Sequence, residues 1–152
     1  MIQRIQSVFL FASLCFLVPM FFLPIAELVH ENGEMLFFDY TGFSVYDSGS
    51  TYRINNQYSI MAFGILICAL NLVTIFLYNI RLLQIRLCIY NMLLLTGLIG
   101  ITFFVVYGVN DITSISFRLP VVFPVVSIIL QYLAFRGIRK DHFMVEALTR
   151  LR

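Results

Sequence analysis

The sequence predicts an all-α membrane protein, a four-transmembrane-helix bundle with a small extracytoplasmic β-hairpin or three-stranded sheet between its first two helices. Three observations lead there. The chain is 61% hydrophobic and 12% charged over 152 residues, with a mean hydropathy of +0.93, well outside the range of soluble domains. Four apolar runs, 5–26, 58–78, 85–107 and 119–135, each have the ~17–23 residues that cross a hydrocarbon core of ~30 Å at ~1.5 Å per residue. The basic residues also fall unevenly between the connections. What remains is a loop at 27–57, two short connections and a tail at 138–152, so residues 1–152 read as a single membrane domain.

The first run carries Pro19 and Pro24 in its second half. Pro19 leaves the carbonyl of Cys15 without its helical donor, which predicts a bend that shapes packing. The run is long for a cleavable leader, and no small residue stands three positions before a cut after Ala26, so an uncleaved anchor is expected.

In the loop at 27–57, Asn32-Gly33 is a two-residue hairpin signal. Thr41-Gly42 opens a further strand, and 47–50 reads as a looser turn. The loop is rich in aromatic residues, among them Phe37, Phe38, Tyr40, Phe43, Tyr46 and Tyr52. A sheet this small needs a surface to lie on, and the rings are expected to pack onto the helix ends and the headgroup belt. The spacing of Glu27, His30, Glu31 and Glu34 would suit metal ligands only on a helix, which the Asn-Gly turn argues against; no metal and no cofactor is expected.

Residues 58–107 cannot be one helix. It would be ~75 Å long, more than twice the bilayer core, and Arg81 and Arg86 would sit in lipid at ~2.5–3.5 kcal/mol each. A tight turn near 79–84 is expected instead, with Asn79 ending the second helix. Four spans then place Arg4, Arg81, Arg86, Arg136, Arg139, Lys140, Arg150 and Arg152 on one side and only Arg53 and Arg118 on the other. By the positive-inside rule both termini are expected to be cytoplasmic. The connection 108–118 reads as a short loop. Pro120 fits the first turn of the fourth helix. The tail is amphipathic, with Met144, Val145, Leu148 and Leu151 on one face, and suits a helix lying on the cytoplasmic surface against anionic lipid.

No Asp, Glu, Lys or Arg falls near a span centre, which speaks against proton relays and ion-coupled transport. The intramembrane polar residues are amides and small side chains in stripes. Gly64, Cys68, Asn71, Thr74 and Tyr78 share a face of the second span, and Pro124, Ser127, Gln131 and Ala134 share one of the fourth. The third span carries Cys88 and Asn91 on one face and Thr96, Gly97 and Gly100 roughly opposite. Asn71 and Asn91 each lie ten residues from Arg81, so a hairpin centred there predicts a hydrogen bond between them, directly or through water, with Gln131 joining the cluster. The glycine face is expected to admit a close neighbour, by default the first or fourth span of the same chain and otherwise a second copy. Cys15, Cys68 and Cys88 all lie in apolar runs, so no disulfide framework is indicated. Motifs for phosphate loops, zinc hydrolases and serine nucleophiles are absent from the sequence.

Three stretches carry a resemblance: MIQRIQSVFL at the start, FLYNIRLLQIRLCIYNMLLL at the inner turn and LAFRGIRKD with the final RLR. Over its full length the chain resembles domain-of-unknown-function family 4293, small four-span membrane proteins of Bacteroidota. That resemblance implies a bacterial inner-membrane protein with four helices, and no activity. The matching stretches all touch the expected cytoplasmic face. Arg4, Arg81, Gln84, Arg86, Arg136, Arg139 and Lys140 therefore either set topology or dock a cytoplasmic protein or anionic lipid. The reading that follows is a non-catalytic accessory, assembly or scaffold subunit, with the bilayer, another membrane protein or a second copy as partner and no nucleic acid. A small transporter or channel subunit lined by Asn71, Asn91 and Gln131 is the alternative. A membrane-embedded enzyme is the weaker one.

Overall fold

The structure is a computed structural model. It describes the backbone of residues 3–30, 34–47, 50–56, 58–77, 80–109 and 112–150, and the side chains of these except 3–6, 46–47, 50–56, 81, 142 and 145–150. Four α-helices, α1 (Gln3–Leu17), α2 (Tyr58–Phe76), α3 (Arg81–Tyr107) and α4 (Val122–Arg150), carry an antiparallel sheet at one end. By length and composition three segments can cross a membrane, Tyr58–Phe76, Leu82–Tyr107 and Leu119–Asp141. The helices neighbour one another in a ring: α1 packs on α2 and α4, and α3 packs on α2 and α4.

The first apolar run is not one helix. α1 ends at Leu17, a single 3-10 turn spans Pro19–Phe21, and by Ala26 the chain is a strand. Pro19 has no N–H to continue the ladder, so the turn closes with i to i+3 bonds, Phe22 N–H donating to Pro19 O at 3.1 Å. The chain then leaves the helix instead of bending and continuing, because Ile25 is taken into the sheet: its N–H donates to Phe38 O at 2.7 Å, and its carbonyl accepts Arg118 N–H at 2.8 Å.

The sheet is larger than the expected hairpin or three-stranded unit. Its strands are β1 (Ala26–His30), β2 (Met35–Asp39), β3 (Gly42–Asp47), β4 (Ser50–Asn56) and β5 (Ile112–Phe117), in the order β4-β3-β2-β1-β5. Four strands come from the loop after α1. The fifth comes from the connection between α3 and α4, which reads as a loop by length; Ile112 and Ile115 are three residues apart, out of strand alternation, and the pairing with β1 carries an irregularity between them. β5 pairs antiparallel with β1, Val29 opposite Ser114 and Glu27 opposite Ser116.

The β1–β2 hairpin flanks the Asn32-Gly33 position, and residues 31–33 lie outside the described residues. The β2–β3 turn is fixed by Asp39, whose Oδ1 accepts the N–H groups of Thr41 (2.8 Å) and Gly42 (3.0 Å). Gly42 has φ 139°, a conformation that a side chain opposes.

Leu28, Leu36, Phe38, Tyr40 and Phe43 on the inner face of the sheet join Leu17, Met20, Ile60, Ile67, Leu95, Leu98 and Val106 in one apolar core. A second core at the opposite end gathers Leu10, Cys88, Ala134 and Ile138, with Phe9, Ile75, Ile85 and Phe135 against it.

The α2–α3 turn falls slightly before the expected 79–84, since α3 begins at Arg81; Tyr78 and Asn79 lie outside the described residues. α4 runs unbroken from Val122 to Arg150, so the tail continues the fourth helix and is not a separate surface helix. Gly137 alone does not stop it, because a single helical glycine costs only ~1 kcal/mol. Val145, Leu148 and Leu151 of the expected apolar face, and His142, have side chains outside the described residues.

Candidate functional site

Between the two apolar cores lies a belt of polar side chains, contributed by every helix. Ser13 of α1, Asn71 of α2, and Ser127 and Gln131 of α4 are 0% exposed, and Asn91 of α3 is 1% exposed. Each sits about one turn from the apolar residues above and below it on its own helix: Ser13 between Leu10 and Leu17, Asn71 between Ile67 and Ile75, Asn91 between Cys88 and Leu95.

Ser13 is the hub. Its Oγ accepts from Asn71 Nδ2 at 3.1 Å and from Gln131 Nε2 at 3.2 Å, and its carbonyl accepts Ser127 Oγ at 3.2 Å. One short side chain thereby ties α1 to α2 and α4. Small size is what the position needs, because two amides from different helices must converge on one oxygen.

Asn71 and Gln131 are thus brought together through Ser13, which sequence reasoning passed over. Asn71 is not hydrogen-bonded to Asn91. The reason is register. Gln84 Nε2 donates to Thr74 O at 3.3 Å, which centres the α2–α3 hairpin about two residues before Arg81 and sets Asn91 ~6 Å along the axis from Asn71, about one helical turn. A shift of that size is beyond amide-to-amide reach. The side-chain oxygens of Asn71, Asn91 and Gln131 are buried without a hydrogen-bond partner.

The residues assigned to the opposite end from the sheet separate in two. Arg86, Arg136, Arg139 and Lys140 are exposed, and the Arg139 guanidinium lies 5.5 Å over the Phe143 ring. Gln84 does not belong to that surface. It is 4% exposed, and its bond to Thr74 O satisfies one of the last-turn carbonyls that an α-helix leaves unpaired. Arg4 and Arg81 stand at the starts of α1 and α3, with side chains outside the described residues. The Thr96, Gly97 and Gly100 face of α3 points outward: among the described residues a Cβ at Gly97 or Gly100 would meet nothing within 4 Å. The close glycine contact is at Gly64 of α2 instead, where a Cβ would come within 2.8 Å of the Phe21 ring.

The sheet meets the helices through Tyr40, Phe21 and Arg118. Tyr40 is buried against Phe21 at 5.8 Å between ring centroids. Its phenol is pushed up to about 12 by burial, against a smaller lowering by the Thr102 side chain. Arg118 pairs with Glu27 across β5 and β1 and lies 5.7 Å over the Phe37 ring. Among the described residues no group of three His, Cys, Asp or Glu could hold a metal ion, and Cys15, Cys68 and Cys88 are free thiols.

The family model described as Domain of unknown function (DUF4293) matches residues 2–151, nearly the whole chain. The chain belongs to the DUF4293 family. The match takes in both the belt and the sheet that caps it. No curated protein matches the chain.

Proposed function

We propose that this chain is a non-catalytic, four-span subunit of a bacterial inner membrane, serving the assembly or stability of a larger membrane complex. The observation that carries this reading is the closure of the polar belt between two apolar cores, Leu10, Cys88, Ala134 and Ile138 on one side and Leu17, Ile67, Leu95 and Leu98 on the other, all at most 1% exposed. The amides of Asn71 and Gln131 converge on Ser13 and not along a path, which suits a role in helix register. Interhelical bonds of this kind average ~0.6 kcal/mol, with a ceiling near ~1.7, enough to select one arrangement of helices.

A fourth span is supported by adding the 3-10 turn to α1. Fifteen helical residues give ~22 Å, and the turn brings the rod to within a few ångströms of the ~30 Å core. The sheet then lies outside the cell and both termini inside, in line with the side bearing Arg86, Arg136, Arg139 and Lys140. Anionic lipid headgroups suit that basic side, and the family resemblance points to Bacteroidota as the source.

The test is purification in mild detergent at native expression, with a chain carrying Ser13→Ala alongside. A stoichiometric membrane partner lost or weakened in the variant supports the reading. A wild-type chain that migrates alone and leaves every membrane complex intact when deleted overturns it. The transporter reading needs a solute gradient dissipated by reconstituted wild-type chain and not by Ser13→Ala.

A further inference from the structure

We propose that the belt is a buried hydration site, in which one or two ordered water molecules donate to the side-chain oxygens of Asn71, Asn91 and Gln131 and join α3 to the other helices. All three oxygens are enclosed and without a partner, while the nitrogens of Asn71 and Gln131 both point to Ser13. At Asn71 and Gln131 the deficit is therefore of donors. Turning an amide over does not cure it. Ser13 has a single hydroxyl proton, so giving it to one amide oxygen strands that amide's nitrogen instead.

Leaving a buried acceptor unpaired is costly, and three acceptors in one belt of a small protein are a polar site of the kind that internal water fills. By residue count the two asparagines lie about one helical turn apart along the hairpin, and a water between them would give each unpartnered oxygen a donor. Water is favoured over a metal cation. A monovalent cation would also take neutral oxygens, but no Asp or Glu among the described residues of the four helices adjoins the belt to offset its desolvation. The site explains why Asn91 is fully buried on α3 without reaching the Ser13 hub.

The full chain in lipid nanodiscs, with Asn71→Leu, Asn91→Leu and the double variant, provides the test. If Asn91 is only an orphan, leucine removes a buried unpaired group, and the thermal midpoint rises or stays. If Asn91 holds water, Asn91→Leu lowers the midpoint by several degrees, and the double variant falls by less than the two singles together, because both act on the same bridge. A raised or unchanged midpoint, or strictly additive losses, overturns the proposal.

Should the variants fail to fold, the wild-type chain suffices. Magnetisation transfer from water to the side-chain amides of Asn71, Asn91 and Gln131 in bilayers is expected, and its absence overturns the proposal. The wild-type midpoint is expected to be equal in sodium, potassium and choline chloride at matched ionic strength. A rise specific to sodium or potassium would assign the site to that cation and overturn the assignment to water.

Discussion

At Ser13 a single oxygen serves three helices, and its removal should be felt more than that of any one amide. Ser13→Ala leaves the nitrogens of Asn71 and Gln131 without their acceptor while barely changing volume. Using the modest values measured inside membranes instead of those for water-soluble cores, the expected loss is roughly 1–3 kcal/mol, read as a lowered unfolding midpoint in detergent; a loss no larger than that of Asn71→Leu would contradict the hub. Tyr40 sets a second expectation. Its folded pKa of about 12 exceeds the model-compound 10.0, so the folded form holds its proton where the unfolded form releases it. The stabilisation is complete below pH ~10 and is lost as pH rises through ~12. Tyr40→Phe should remove that part of the alkaline fall, monitored by tyrosinate absorbance alongside unfolding. Ser13 was hard to find from sequence for a plain reason: one serine among apolar residues has no periodic partner on its own helix, and its importance arises from side chains 58 and 118 positions away.

At the scale of elements, α2 is held at both ends by contacts that local propensity does not encode. At its start, the Phe21 ring from the 3-10 turn lies on Gly64. Gly64→Ala would drive a methyl into a ring that is itself held by Tyr40, so an overpacking loss of ~1–3 kcal/mol is expected. Phe21→Leu in the same chain should recover part of it, and an unchanged midpoint in the single variant would show that the ring moves freely. At its end, the Gln84 amide caps Thr74 O, and Gln84→Leu should cost ~1 kcal/mol with no effect on insertion. The helices were legible because apolar runs of membrane length leave few alternatives: α2 and α3 fall within a few residues of the expected spans. Register was not, because the hairpin centre was taken from arginine positions. An interfacial arginine snorkels over several ångströms and marks depth only to within about a turn.

The whole molecule is closed by a strand that length and pattern disguised. Residues 108–118 pass for a short connection, yet β5 hydrogen-bonds to β1 and so links the end of α3 to the end of α1, elements far apart in the chain. Apolar residues at 112, 115 and 117 do not alternate regularly, because the pairing with β1 is irregular between Ile112 and Ser114, so no strand period was legible. The helical class and the existence of extra-helical strands were therefore readable, whereas the sheet's size and the exit of α1 into it depended on a non-local pairing. That pairing predicts a cross-link. Val29 and Ser114 face each other in the register, and directly opposed antiparallel residues have Cα atoms ~4.5–5.5 Å apart, inside the disulfide range. In a chain whose three native cysteines are replaced by alanine, Val29→Cys with Ser114→Cys should form a reducible internal cross-link, seen as a mobility shift on a non-reducing gel. Val29→Cys with Ser116→Cys, one pleat repeat out of register, should form far less. Equal cross-linking of the two pairs would mean that β5 slides on β1. Cross-linking in intact cells without added oxidant would further place the sheet in an oxidising compartment, the position proposed for it from the distribution of arginines.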